Sequence, residues 1–177
     1  MHGNPARLIA AVLLFGATTA AHGSPLTWQL EDVAFAGGGT ASGSFTVDVD
    51  TQTFWHVSIL TTPGTLPGTS YTGDLDGVGF SGGALEWVRF VTASGDMTGQ
   101  FTLGLSFLTP LTDAGGTSVV FEGDAGETYC ANADCSEGDF RNILAGGKVR
   151  SVPEPSSFLL LGLGLVGLGL IRRRNAI

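Results

Sequence analysis

The chain has 177 residues, with 8 Lys and Arg against 16 Asp and Glu, a net charge of −8, and 43% hydrophobic residues. Between residues 24 and 151 four basic side chains (Arg89, Arg141, Lys148, Arg150) face fifteen acidic ones, a balance near −11. A surface of that sign repels nucleic acid, and it repels anionic polysaccharide unless divalent cations intervene.

The first segment has Arg7, an apolar stretch from Leu8 to Ala17, and small residues from Thr18 to Gly23. This is the three-part plan of a secretory signal peptide. Cleavage after Gly23 leaves Ala21 and Gly23 flanking His22, and cleavage after Ala21 is the near alternative. The leader is therefore assigned to residues 1–23, with the Sec machinery and signal peptidase as its partners, and residues 24–151 to one exported domain.

Period-two alternation recurs through that domain. Leu26 to Phe35 is a first strand, and the glycine-rich loop 37–43 leads to Ser44–Val49, where Phe45, Val47 and Val49 face inward. Asp50-Thr51-Gln52 turns the chain into Thr53 to Leu60, in which Trp55, Val57 and Ile59 are expected inward and His56 outward. Further strands are expected at Val78 to Phe80, Ala84 to Thr92, Gln100 to Phe107 (Phe101, Leu103, Leu105 and Phe107 inward), Ser118 to Glu122 and Lys148 to Val152. Short strands at turn-punctuated spacing, with no amphipathic helical segment, predict an all-β antiparallel β-sandwich, jelly-roll-like.

Cys130 and Cys135 share one loop, and an oxidising compartment makes a local disulfide the natural reading. Metal binding by the thiols is the rival, and it lacks clustered histidines to complete a site. Calcium is the one ligand ion the acids suggest: Glu122, Asp124, Glu127, Asp134, Glu137 and Asp139 crowd the same loop. The plainer reading is a solvated acidic rim, since neither the EF-hand nor the calcium nonapeptide repeat is present. His56, the histidine left after leader cleavage, reads as a solvated strand residue rather than a general base. No Gly-x-Ser-x-Gly elbow, His-Glu-x-x-His pair or P-loop occurs. Carboxylates such as Asp74 with Asp76, or Glu86, look like ordinary surface acids.

The last segment, 152–177, carries Val152-Pro153-Glu154-Pro155-Ser156, an apolar run from Phe158 to Ile171, and Arg172-Arg173-Arg174. The two prolines fix an extended, rigid turn that displays Glu154. The run of fourteen residues makes a helix of roughly 21 Å, shorter than a bilayer core of about 30 Å. It is apolar on all sides and stopped by charge, which favours a short membrane span with a cytoplasmic arginine anchor. Its Gly162-x-Gly164-x-x-Gly167 string copies the dinucleotide-binding glycine pattern without the βαβ unit that pattern needs.

These three parts in this order closely resemble the PEP-CTERM sorting signal of Gram-negative bacteria. The resemblance implies recognition of Val152 to Ser156 by exosortase, a multi-spanning membrane cysteine protease, with the tail held transiently in the inner membrane and then removed. Asp32 to Phe35, the glycine loop and Ala41 to Phe45 also resemble a recurring opening of exported PEP-CTERM proteins, which carries no activity with it. The resulting expectation is an exported, non-enzymatic protein without a cofactor, structural or adhesive, at the cell surface or in the polysaccharide matrix. A carbohydrate-binding module stacking sugars on an exposed Trp28, Trp87 or Tyr71 is the alternative. A small secreted hydrolase is the third reading.

Overall fold

Hairpins dictate the architecture. The computed structural model describes residues 24–123 and 125–152. The leader at 1–23, Asp124, Pro153 to Ser156, the apolar run and Arg172 to Arg174 lie outside the described residues. Eleven strands occur among those residues: β1 (Leu26–Ala34), β2 (Thr40–Asp48), β3 (Thr53–Thr61), β4 (Ser70–Tyr71), β5 (Leu75–Ser81), β6 (Ala84–Val91), β7 (Phe101–Leu111), β8 (Thr117–Val119), β9 (Gly126–Cys130), β10 (Gly138–Asn142) and β11 (Lys148–Val152). They form a six-stranded sheet in the order β4-β3-β2-β1-β11-β8 and a five-stranded sheet in the order β10-β9-β7-β6-β5. All pairings are antiparallel.

The two sheets pack as a sandwich over one apolar core in which Phe45 of β2 meets Phe90 of β6 at 5.4 Å and Phe107 of β7 at 6.5 Å between ring centroids. Phe45, Val47, Val49, Leu103, Leu105 and Phe107 are buried as the alternation requires. Consecutive strands stay within one sheet over β1–β4 and again over β5–β7. That departs from the jelly roll, which is built from Greek keys, and the tight turns explain it. Asp48 Oδ1 accepts from Thr51 N at 2.9 Å to close the β2–β3 turn. Gly82 and Gly83, at φ 57° and 76°, make the two-residue β5–β6 turn, a conformation that favours glycine at both positions.

Three expectations need correction. In β3 the register steps from Ser44↔Ser58 to Thr46↔Trp55, so two residues, His56 and Val57, oppose one on β2, and His56 sits at φ 48°. This β-bulge inverts the alternation: Phe54 packs on the core and Trp55 is turned out to solvent. Trp28 and Tyr71, offered as exposed stacking residues, are buried, Trp28 among the core side chains and Tyr71 under a hydrogen bond to Glu127. Finally, β4, β9 and β10 were not expected, and β8 is shorter than Ser118 to Glu122.

β9 and β10 are hidden in the sequence because their inward residues are charged. Glu127 and Arg141 stand directly opposite each other on these strands, both fully buried. Arg141 Nε donates to Glu127 Oε2 at 2.8 Å, while Thr61 Oγ1 and Tyr71 OH from the other sheet donate to Oε1 at 2.7 and 2.8 Å. The guanidinium also donates to the carbonyls of Gly38 and Thr62 at 3.1 Å and lies 4.2 Å over the Phe35 ring. Burial first, and then the Glu127 charge, push the Tyr71 hydroxyl far above its usual range, so it stays a proton donor.

Removing one partner strands a buried charge, so Arg141→Met is expected to cost about 3–5 kcal/mol. Adding Glu127→Gln discharges the site while keeping an oxygen for Thr61 and Tyr71, and should return part of that loss. Urea unfolding midpoints of the single and double variants check this; a double variant no more stable than Arg141→Met would refute it.

Candidate functional site

The last strand sets where the C-terminal signal leaves the domain. In β11, Val149 is buried in the core, and the strand is paired on both sides, to β1 through Leu30↔Val149 and to β8 through Ser118↔Val149. Ser151 is fastened to the loop before β8: its N–H donates to the Gly116 carbonyl and its Oγ accepts from Gly116 N, both at 2.8 Å. Val152 still pairs with Thr27. The final residue before Pro153 is thus a sheet residue, about two-fifths exposed at 41%.

Pairing of Thr27 with Val152 places the start of the domain beside its end. One cross-strand row on the outer surface of the six-stranded sheet runs Val152, Thr27, Thr46, Trp55. Thr27 and Thr46 share a hydroxyl hydrogen bond of 2.8 Å. With Pro25 and the bulged His56 they line a depression of about 340 Å³. Among the described residues no hydrogen bond joins the His56 side chain to a carboxylate or a nucleophile. The same end of the sandwich holds Asp48, Asp50 and Asp113. Asp113 Oδ1 accepts from Val49 N at 3.3 Å, yet burial and then the charges of Asp50 and Asp48 raise its carboxyl above the usual range.

At the disulfide loop the structure joins Cys130 to Cys135 with Cα atoms 4.7 Å apart. Cys130 packs on Val91 and Met97. The Asp134 carboxylate is taken up by its own loop, accepting from Ser136 Oγ at 2.8 Å and Ser136 N at 3.1 Å, which lowers its pKa. Glu127 leaves the proposed calcium set altogether, because it is buried against Arg141. Glu122, Glu137 and Asp139 are exposed, and Asp124 lies outside the described residues. Among the described residues no three Asp, Glu, His or Cys side chains converge to hold a metal ion. Of the paired carboxylates considered, Asp76 is in an ion pair with Arg89.

Trp87 on β6, one of the three aromatic residues offered as exposed, is 41% exposed on the outer face of the five-stranded sheet, where it is joined by Phe140 on β10, 51% exposed, which sequence reasoning missed. That the two share a face depends on strand pairings that no single segment displays.

With this geometry in place, the comparisons are specific at one end. The PEP-CTERM protein-sorting motif matches residues 151–174, beginning inside β11. No curated protein and no solved structure matches the chain. The motif implies an exported protein sorted by exosortase through a membrane-anchored intermediate.

Asp113 gives a pH test. A carboxyl whose folded pKa is raised binds its proton more tightly when folded, so its favourable share is complete below the unfolded value of about 3.9 and is lost as pH rises through the folded value. Asp113→Asn, which keeps an acceptor for Val49, should therefore be more stable than the parent at neutral pH, with the gain vanishing toward pH of about 3.9. Paired urea melts across this range check it; a gain that grows on acidification would contradict the sign.

Proposed function

We propose that the chain is a non-enzymatic protein of the cell surface or the extracellular polysaccharide matrix of a Gram-negative bacterium, a structural or adhesive β-sandwich released from its membrane tail by exosortase. The observation that carries this reading is the position of the sorting motif, which starts at Ser151 within the sheet and leaves no spacer between fold and signal. In this reading Val152, Pro153, Glu154, Pro155 and Ser156 are recognition residues, and Arg172, Arg173 and Arg174 hold the tail at the cytoplasmic side. The leader at 1–23 brings the chain to the Sec machinery and signal peptidase. The Cys130–Cys135 bridge suits the oxidising destination.

The fold also constrains where processing can fall. A cut beyond Val152 leaves every described strand in place, whereas one before Lys148 removes the strand that lies between β1 and β8 and buries Val149. Pairing lost on both sides of β11 cannot be replaced by water without opening the core.

Changing Pro153, Glu154 and Pro155 together to alanine in an exosortase-bearing host should abolish the size shift of the mature protein and retain it in the membrane fraction. Unaltered processing and release would defeat the sorting reading. Chains ended by a stop after Val152 should melt as cooperatively as the processed protein, and chains ended after Gly147 should lack a cooperative transition by circular dichroism.

A further inference from the structure

We propose that the outer face of the five-stranded sheet is a binding site for a neutral polysaccharide chain, stacked at two points on Trp87 and Phe140. This deepens the matrix or surface reading above and rests on it.

Five residues form one row across this sheet, Asn142 on β10, Gly126 on β9, Gly104 on β7, Arg89 on β6 and Gly77 on β5. Three of them are glycines, and the two rings use the space that missing side chains leave. The Trp87 indole lies flat along β5: a methyl group on Gly79 would overlap its pyrrole side, and one on Gly77 would meet its benzene side at 3.0 Å. The Phe140 ring lies over Gly126 in the same way, where a methyl group would meet it at 2.5 Å. Each ring therefore has one face on backbone and the other toward water.

Between the two beds lie three inter-strand steps, roughly 14 Å. The floor of this interval is small, with Gly104 in the row and Ser106 and Thr128 beside it. Arg89 stands in the row itself and is paired with Asp76, both side chains part-exposed at 48% and 37%. The pair supplies guanidinium donors and carboxylate acceptors, and its two charges cancel.

Flat apolar platforms, hydroxyl-sized hydrogen-bonding groups between them and local neutrality fit a pyranose polymer, whose rings present C–H faces and whose edges present hydroxyls. Charge decides against the competing polymers. With Arg89 neutralised by Asp76 the strip has no net positive charge to attract a polyanion, and the balance near −11 on the exported domain repels one. A protein partner would not need rings held parallel to the sheet at a separation of several strands.

The test is affinity electrophoresis of the mature, exported protein in native gels containing hydroxyethyl cellulose, laminarin or galactomannan, with alginate as the polyanion. At least one neutral polymer should retard the protein in proportion to its concentration, and alginate should not. Trp87→Ala and Phe140→Ala should each weaken the retardation on the order of tenfold, as expected for loss of one stacking contact. Trp87→Tyr, which keeps a ring over the glycines, should restore most of it, and melting temperatures of all three should stay near the parent's.

Absence of retardation by every neutral polymer, retardation of the alanine variants equal to the parent's, or retardation by alginate would overturn the site. So would a dimer of the parent, seen by gel filtration, that Trp87→Ala dissolves, because the face would then belong to a second copy of the chain. Fractionating the producing cells separates this failure from failure of the broader reading. Parent protein found in the matrix despite no glycan retardation removes the binding face alone, whereas parent protein confined to the periplasm removes the matrix assignment with it.

Discussion

The buried pair of Glu127 and Arg141 is the constraint on which the sandwich depends. Neither side chain is exposed, and taking two charges from water is costly unless the remaining donors and acceptors are met. Here they are met by parts of the chain far apart in sequence: Thr61 and Tyr71 from the six-stranded sheet, and the Gly38 and Thr62 carbonyls from two loops. The short strand β4 pairs with β3 over only two residues and is anchored by the burial of Tyr71 and by bonds between Thr69 and Thr61. Its Tyr71 hydroxyl is held to Glu127, so the network defines where an otherwise marginal edge strand lies. Apolar packing fills the interior; this network selects one alignment of the two sheets within it.

The same pair accounts for what the amino-acid pattern conceals. β2 and β7 are legible because every second residue is apolar, as in Phe45-Thr46-Val47 and Phe101 through Phe107. Gly126-Glu-Thr-Tyr-Cys130 and Gly138-Asp-Phe-Arg-Asn142 break that rule, since the inward positions are Glu127 and Arg141 and the aromatic Phe140 points out. A strand stabilised by a cross-strand ion pair carries no hydrophobic period to detect. The scarcity of cations was a usable clue, because an arginine between Phe140 and Asn142 in so acidic a domain has many carboxylates to pair with. In β3 the failure is local: one extra residue at His56 moves Trp55 from the expected core to the surface.

The candidate sites divide by the same logic. A sorting signal is read as an extended string by another protein, so Val152 to Ser156, the apolar run and the arginines are visible in order along the chain. A stacking face is assembled by pairing, and the glycines that make it, Gly77, Gly79 and Gly126, are silent until Trp87 and Phe140 are placed above them. The disulfide lay between these cases, legible from the short spacing of Cys130 and Cys135. The acids around it were legible only as a count, since Glu127 is spoken for by Arg141.

β11 gives the fold a temporal order. In a chain threaded across a membrane N-terminus first, the β1–β4 meander and the β5–β7 meander reach the far side while the slot between β1 and β8 is still vacant. The strand that fills it arrives last, with the sorting tail directly behind. Val149 and the sorting motif then arrive together, and a translocation that stalls short of residue 148 leaves a chain without β11 and without the motif. The two outcomes a cell would most need to keep together, a finished domain and its delivery, are linked by five residues of sheet.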